Sequence, residues 1–501
     1  MQLFIEGLIS VCTPFNLVIM LIGTALGILF GALPGITATL GVALCLPLTF
    51  GMEPIQGFAM LCALYIGGTS GGLISAILLN IPGTGSSVAT TFDGHPMSKN
   101  GQSGKALGIG VVFSFFGTLI SIAVLIFLAP QIAKIAVKFG AKEYFALSFF
   151  SLTMICSLSG KSLFRGLVSG TLGMTLAMVG AAPIDGLPRF TFGLPALSAG
   201  FSLLPGLVGL FAINEVLKAA SSPETAQVKA DVHIKGFGFS FQEFKQQQKN
   251  MVIAAAIGVG IGILPGIGGG TSNILAYGAV RSASKYPDKF GTGIIDGIVA
   301  TETANNASIG GAMVPLLTLG IPGDTITAVL LGAFMVHGLQ PGPMLFKTNG
   351  ELIYAIFAAL IVASVMMIII EFLFMRGFIR LLTIPKYILL PIVMVLCTIG
   401  AFSTNNRIFD MWVLLIFGVI GVLLAKAGYP QAPVILGFIL CPYVETYLRR
   451  GLQVARGNFW AFFKAPISGT FIVLALVVIA LNVIKYAKMS ATERVAVSED
   501  E

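Results

Sequence analysis

The chain has 501 residues, 56% hydrophobic and only 10% charged, with a mean hydropathy of +0.95. A soluble domain carries about 25% charged residues, so one globule with a polar shell is excluded and lipid is the solvent that fits. The net charge of +8 comes from lysines and arginines lying mostly in short gaps between apolar runs; this fits the positive-inside rule, and no basic stripe with interleaved aromatics points to nucleic acid.

In chain order, MQLFIEGLIS lacks a basic n-region and a cleavage site, so the first apolar span is expected to stay in the mature protein. Apolar runs follow near 14–33, 54–79, 104–130, 142–159, 163–182 and 196–218. A polar loop, 221–250, carries Lys229, Lys235, Lys245 and Lys249. The runs then resume near 250–264, 292–320, 351–374, 387–402, 410–426, 431–448 and 466–486, and the chain ends in a polar tail. With a bilayer needing about 20 residues per helix, the expectation is an all-α polytopic membrane protein of about 11 or 12 transmembrane helices plus re-entrant or broken ones. The expected organisation is a first repeat half at 1–220, a polar inter-repeat loop at 221–250, a second half at 251–486 and a tail at 487–501. Basic residues in loop and tail favour the cytoplasm for both. The six cysteines all lie in apolar segments without a CxxC, so they suggest neither zinc nor a disulfide framework.

The halves repeat a motif. Leu33-Pro34-Gly35 matches Leu264-Pro265-Gly266 at an offset of 231, and Ile81-Pro82-Gly83-Thr84 matches Ile321-Pro322-Gly323-Asp324 at 240. An insertion near 281–289 accounts for the difference. Two ordered pairs at nearly constant spacing predict two pseudo-symmetric halves, inverted with respect to each other. Paired interrupted segments in two halves are the sequence signature of a secondary transporter with a midplane site. A broken helix exposes free N–H groups at one half-helix start, where the dipole suits a carboxylate, and free carbonyls at the other end. The breaks therefore nominate Pro34, Gly35, Thr37, Thr39, Pro82, Gly83, Thr84 and Ser86 from the first half as substrate-binding residues. The second half contributes Pro265, Gly266, Thr271, Ser272, Asn273, Asn305, Asn306, Pro322, Gly323 and Thr325.

Carboxylates inside apolar segments are costly and mark cavities, partners or ions. Asp296 and Glu302 are six apart and point to different faces of a continuous helix. Glu302 and Asp324 are the candidates for coupling to a cation. His95 and His337 follow the two IPG motifs and fit turn histidines at the membrane boundary. Enzyme chemistry finds little support. LSGKS at 158–162 lacks the first P-loop glycine, since Ile155 stands there, and neither HExxH nor GxSxG occurs. No metal or cofactor is called for, beyond a transported Na⁺ or H⁺.

Four stretches, GALPGITATLGVALCLPLTFGM, YIGGTSGGLISAILLNIPGTGSSVATTFDGHPM, GILPGIGGGTSN and ATETANNASIGGAMVPLLTLGIPGD, resemble the large membrane subunit of the tripartite tricarboxylate transporter family (TctA-like). The resemblance runs over residues 1–490. It implies a multi-pass protein of the bacterial inner membrane that imports citrate or a related organic carboxylate on a cation gradient. It also implies two partners, a small membrane subunit and a periplasmic solute-binding protein. The rival readings are a passive anion channel and a membrane scaffold subunit.

Overall fold

A computed structural model describes residues 2–33, 37–158, 163–213, 216–217, 238–266, 268–381 and 386–488. The described residues are almost wholly helical. The first half contains α1 (Gln2–Val11), α2 (Pro14–Ala32), α3 (Ala38–Cys45), α4 (Pro54–Leu79), α5 (Thr90–Met97), α6 (Ser103–Ala136), α7 (Ala141–Leu158), α8 (Leu163–Ala177) and α9 (Leu203–Val208). The second contains α10 (Phe241–Gln246), α11 (Gln248–Ile263), α12 (Gly268–Ala283), α13 (Ile295–Leu319), α14 (Thr325–Val336), α15 (Gly350–Leu381), α16 (Lys386–Asn405), α17 (Ile408–Lys426), α18 (Gln431–Val454) and α19 (Pro466–Lys488). The one two-stranded ribbon among the described residues pairs Gly180–Ala181 with Pro188–Arg189.

The expected apolar runs coincide with helices. Six helical stretches are long and apolar enough to cross a bilayer: α2, α4, Thr90–Ala136, α15, α17 and α19. The third of these is interrupted, because Gly101 takes φ +77° between α5 and α6. Other helices are shorter, or long with polar residues inside, and the run near 196–218 is divided between α9 and a π-helical turn at Gly209–Ile213. The chain is therefore an all-α, multi-pass membrane protein. Of the expected polar loop, residues 221–237 lie outside the described residues, and so do 489–501 of the tail. The loop's end is ordered by its own sequence. Ser240 and Glu243 form a capping box that starts α10, and α11 begins at Gln248.

Two compact units arise, one from residues 1–133 with 215–400, the other from 134–214 with 401–501. In the second unit, Arg189 clamps Glu445 through both guanidinium nitrogens at 3.0 and 3.1 Å, pinning the short ribbon to α18. The first unit holds every described break. Within it, α4 and α13 are buried along nearly their whole length. α4 is almost purely apolar with a Gly67-Gly68…Gly71-Gly72 stripe, whereas α13 buries Thr301, Glu302, Thr303, Asn305, Asn306 and Ser308. A buried helix carrying that many polar groups needs internal partners or a ligand for them.

The sequence repeat is a repeat of contacts. A Cβ on Gly27 would strike the Leu64 carbonyl, as one on Gly258 would strike that of Ala304. Gly31 lies against Gly68 as Gly262 lies against Ser308, and Gly71 against Ile28 as Gly311 against Val259. Gly83 meets Gly31 as Gly323 meets Gly262. Each pair is carried onto its counterpart by the offsets of 231 and 240. Small residues allow such close helix approach in membranes, where packing and not the hydrophobic effect holds helices together.

Candidate functional site: the backbone breaks converge

The breaks are built from local chemistry. After α2, Leu33 leaves the helix with extended φ/ψ (−77°, 115°), and Thr37 caps α3 by accepting the Leu40 N–H at 3.2 Å. Pro34 and Gly35 lie outside the described residues. In the second half α11 ends the same way at Leu264 (−76°, 121°). Gly266 and Gly268 then take φ of +77° and +64° to reach α12, a conformation that side chains resist. At the IPG breaks, α4 ends on Asn80 and α13 on Gly320, both left-handed. The chain restarts on Thr84, capping the turn Gly85–Ser87, and on Asp324, capping α14.

All four restarts meet. Thr39 Oγ1 lies 3.0 Å from Thr325 Oγ1, joining the first turns of α3 and α14. The same exchange of halves joins Gly270 to Gly85: a Cβ on Gly270 would sit 3.0 Å from the Gly85 carbonyl. Next door, a Cβ on Gly269 would sit 2.9 Å from Asn305 Oδ1 and Ser308 Oγ, and 3.0 Å from Ser86 Cβ. One on Gly268 would reach Asp324 Cβ at 3.0 Å. The first turn of α12 thus touches both IPG restarts and the polar face of α13. Its free N–H groups point out of a 16-residue helix.

Asn305 is the group to notice there. Its amide donates to the Thr69 carbonyl at 3.3 Å, while Oδ1, beside Gly269, accepts nothing. A fully buried acceptor without a donor costs about 1–3 kcal/mol and marks a place where something else supplies one.

Glu302, one turn back on α13, is fully buried. Its oxygens accept from the Thr90 hydroxyl and, at 3.2 Å, from Ser114. Asn306 donates to Ser114 at 2.8 Å, and Asn273 donates to the Thr301 carbonyl at 3.1 Å while accepting the Ala89 N–H at 2.8 Å. Asn306 Oδ1 is again unpartnered. Asp324 differs. Tyr65 donates to Oδ2 at 2.5 Å, and Thr327 donates N–H and hydroxyl to Oδ1, both at 2.7 Å. It is the N-cap of α14 as well as a carboxylate in the cluster.

Most nominated residues stand together. Thr39, Thr84, Ser86, Asn305, Gly323, Asp324 and Thr325 line the meeting point, with Pro82, Gly83, Pro265, Gly266 and Pro322 forming the breaks behind them. Ser272 is buried and turned into its own helix and the Ala304 carbonyl. Thr271 is exposed and takes no printed part in the cluster.

One residue was not nominated. Glu371 on α15 is fully buried; Oε2 accepts from Ser70 at 3.0 Å, Oε1 accepts nothing, and Glu302 acts on it electrostatically. Neither Glu302 nor Glu371 forms a salt bridge among the described residues. The signal was a lone acid in the apolar run IIIEFLF, 368–374. Its place near the end of the expected span disguised its depth. By contrast Asp93, also buried, is spent on structure: Oδ1 accepts the N–H groups of Gly291, Gly293 and Ile294, and Oδ2 the Tyr277 hydroxyl.

Comparison with known proteins supplies the frame for this cluster. Residues 17–436 match the tripartite tricarboxylate transporter TctA family. The chain belongs to that family. Two relatives from Agrobacterium vitis agree. An uncharacterized 52.8 kDa protein in the TAR-I ttuC' 3'region is 33% identical over 494 residues, 99% of this chain and 98% of the relative. An uncharacterized protein in the TAR-II ttuC' 3'region is 33% identical over 240 residues, 48% of this chain and 99% of the relative. No solved structure matches the chain. This member of the TctA family thus keeps both motif pairs within the matched region, and its family is one of transporters that work with other subunits.

Proposed function

We propose that this chain is the membrane subunit that carries cargo in a binding-protein-dependent importer of the bacterial inner membrane. The cargo is citrate or a related organic carboxylate, and a gradient of Na⁺ or H⁺ drives it. The observation that carries this reading is the convergence of the restarts on one buried polar face, with unpartnered acceptors at Asn305 and Asn306. Helix N-termini receive the carboxylates. Asn305 and Asn306 receive cargo hydroxyls or a co-transported cation. Glu302 and Asp324, with Glu371 beside them, offset the charge.

In this mechanism a periplasmic solute-binding protein docks, a small membrane subunit completes the complex, and the two halves, inverted in the bilayer, alternate about the shared site. The test is uptake of labelled citrate, and of related di- and tricarboxylates, into vesicles carrying all three subunits, with Na⁺ and pH varied independently. Uphill accumulation that an ionophore abolishes is the expected result. Flux that only follows the anion's own gradient, and needs no binding protein, would make the chain a channel and end the proposal.

A further inference from the structure

A second polar cavity opens away from the breaks. It encloses about 550 Å³ and is lined by Asn80, Thr91, His95, Lys99, Asn100 and Thr292, with Phe92 and Pro96. The lining holds one ammonium, one imidazole, two amides and two hydroxyls, and no carboxylate. The nearest acid in sequence, Asp93, is engaged by Tyr277 and three backbone N–H groups instead. His95 Nδ1 lies 3.1 Å from the Ile77 carbonyl, which only accepts. The Nδ1 proton is therefore committed and Nε2 is left for whatever fills the cavity. The kink at Gly101, φ +77°, turns the chain just after Lys99 and Asn100.

The position of this cavity gives it a role. Asn80 stands on its rim and also ends α4, and the IPG break that follows reaches Thr84 in the central cluster four residues later. Thr91 lines the cavity while its neighbour Thr90 bonds Glu302. One broken segment therefore runs from this basin to the convergence point. We propose that the basin is a second carboxylate station, an anteroom in which Lys99 and His95 hold the anion on its way to or from the central site. The inference rests on the transport reading for its direction, but not for the binding itself. Cationic concave surfaces raise local anion concentration and on-rates by about 10- to 1,000-fold.

The experiment uses the full chain with Cys12→Ser, since Cys12 is exposed whereas Cys45, Cys62, Cys397 and Cys441 are buried. A cysteine placed by Thr91→Cys, and separately by Thr292→Cys, is labelled with a sulfonate-bearing and a quaternary-ammonium-bearing methanethiosulfonate. The sulfonate reagent is expected to react about tenfold faster, Lys99→Gln with His95→Gln to remove the preference, and millimolar citrate to slow labelling. Equal rates for the two reagents, or labelling indifferent to every di- and tricarboxylate tried, would overturn the anteroom. Adding Asn305→Ala separates the two sites: citrate protection at Thr91→Cys should survive it while uptake falls. If no carboxylate is ever taken up yet protection persists, the transport reading fails and the anion station stands.

Discussion

Adding one methyl group at Gly323 probes whether the paired breaks are packed as tightly as the contacts imply. In Gly323→Ala the new Cβ would sit 2.5 Å from Ala312 Cα, 2.7 Å from Ala312 Cβ and 2.8 Å from the Gly262 carbonyl oxygen. Favourable carbon contacts lie near 3.5–4.0 Å, so about 1 Å of backbone movement is needed on two helices at once. Overpacking of this kind costs about 1–3 kcal/mol. At 1.4 kcal/mol per tenfold, that is roughly 5- to 150-fold in the folded population. Gly83→Ala, the counterpart, meets the Gly31 carbonyl and Ser75 Oγ and should behave alike. Gly85→Ala is the control, because nothing lies within 4 Å of its Cβ position. The assay is thermal unfolding of the purified protein in detergent, with citrate uptake measured on the surviving fraction. Both clashing variants should unfold earlier than Gly85→Ala, and the folded remainder should transport with a raised KM because the restarts no longer meet. If Gly323→Ala is as stable as Gly85→Ala and transports normally, the close approach of the breaks is not what holds this site together.

Glu302→Gln keeps the shape and removes the charge that Thr90 and Ser114 serve. It should leave folding intact and abolish uphill accumulation while carboxylate exchange across the vesicle persists. Tyr65→Phe deletes the 2.5 Å donor to Asp324 and leaves a carboxylate oxygen short of one bond, a cost of about 1–3 kcal/mol that a melting curve would show. At the edge of the unit, Lys105 and the Ser240 cap hold the Glu243 carboxyl below its ordinary 4.5. A depressed carboxyl contributes stability above its unfolded value and loses it as pH falls through the folded one. The tie of α10 to α6 should therefore be at full strength at pH 7 and weaken from about pH 4.5 downward, measured as protease nicking after residue 238; Glu243→Gln should show no such dependence.

The class of the molecule and the places of its helices were legible because both follow from apolar length. Pro54–Leu79 could be bounded by its flanking Glu53, Pro54 and Asn80 alone. The breaks were legible because Pro and Gly act locally. Their convergence was only inferable from the repeat, since contacts such as Thr39 with Thr325 span 286 residues. Which side chains of α12 face inward could not be read from the stretch GGGTSN, and Thr271 fell on the wrong side while Ser272 and Asn273 turned in. Glu371 escaped because an acid near the end of an apolar run ordinarily snorkels to the interface. Only tertiary packing by α4, which brings Ser70 to it, shows that it is buried.

The repeat is symmetric in backbone and asymmetric in chemistry, and that difference bears on mechanism. Under the offset of 240, Glu302 corresponds to Cys62, Asn305 to Tyr65, Asn306 to Ile66 and Asp324 to Thr84. The glycine contacts survive the exchange of halves, so the scaffold is retained on both sides. The ionisable groups do not: of each pair, the second half has the acid. Placing carboxylates at both members would set like charges together in a low-dielectric interior, where each costs about 2.5–3.5 kcal/mol even alone on insertion scales. Tyr65 shows the division of labour, since the first half answers the second half's Asp324 with a neutral donor at 2.5 Å. A symmetric frame supplies two equivalent ways of opening the breaks. An acid confined to one repeat lets a single protonation or cation-binding event bias one opening over the other. On that argument, moving the acid with the pair Asp324→Thr and Thr84→Asp should leave the folded frame intact and invert or abolish the coupling, whereas Asp324→Thr alone should merely weaken it.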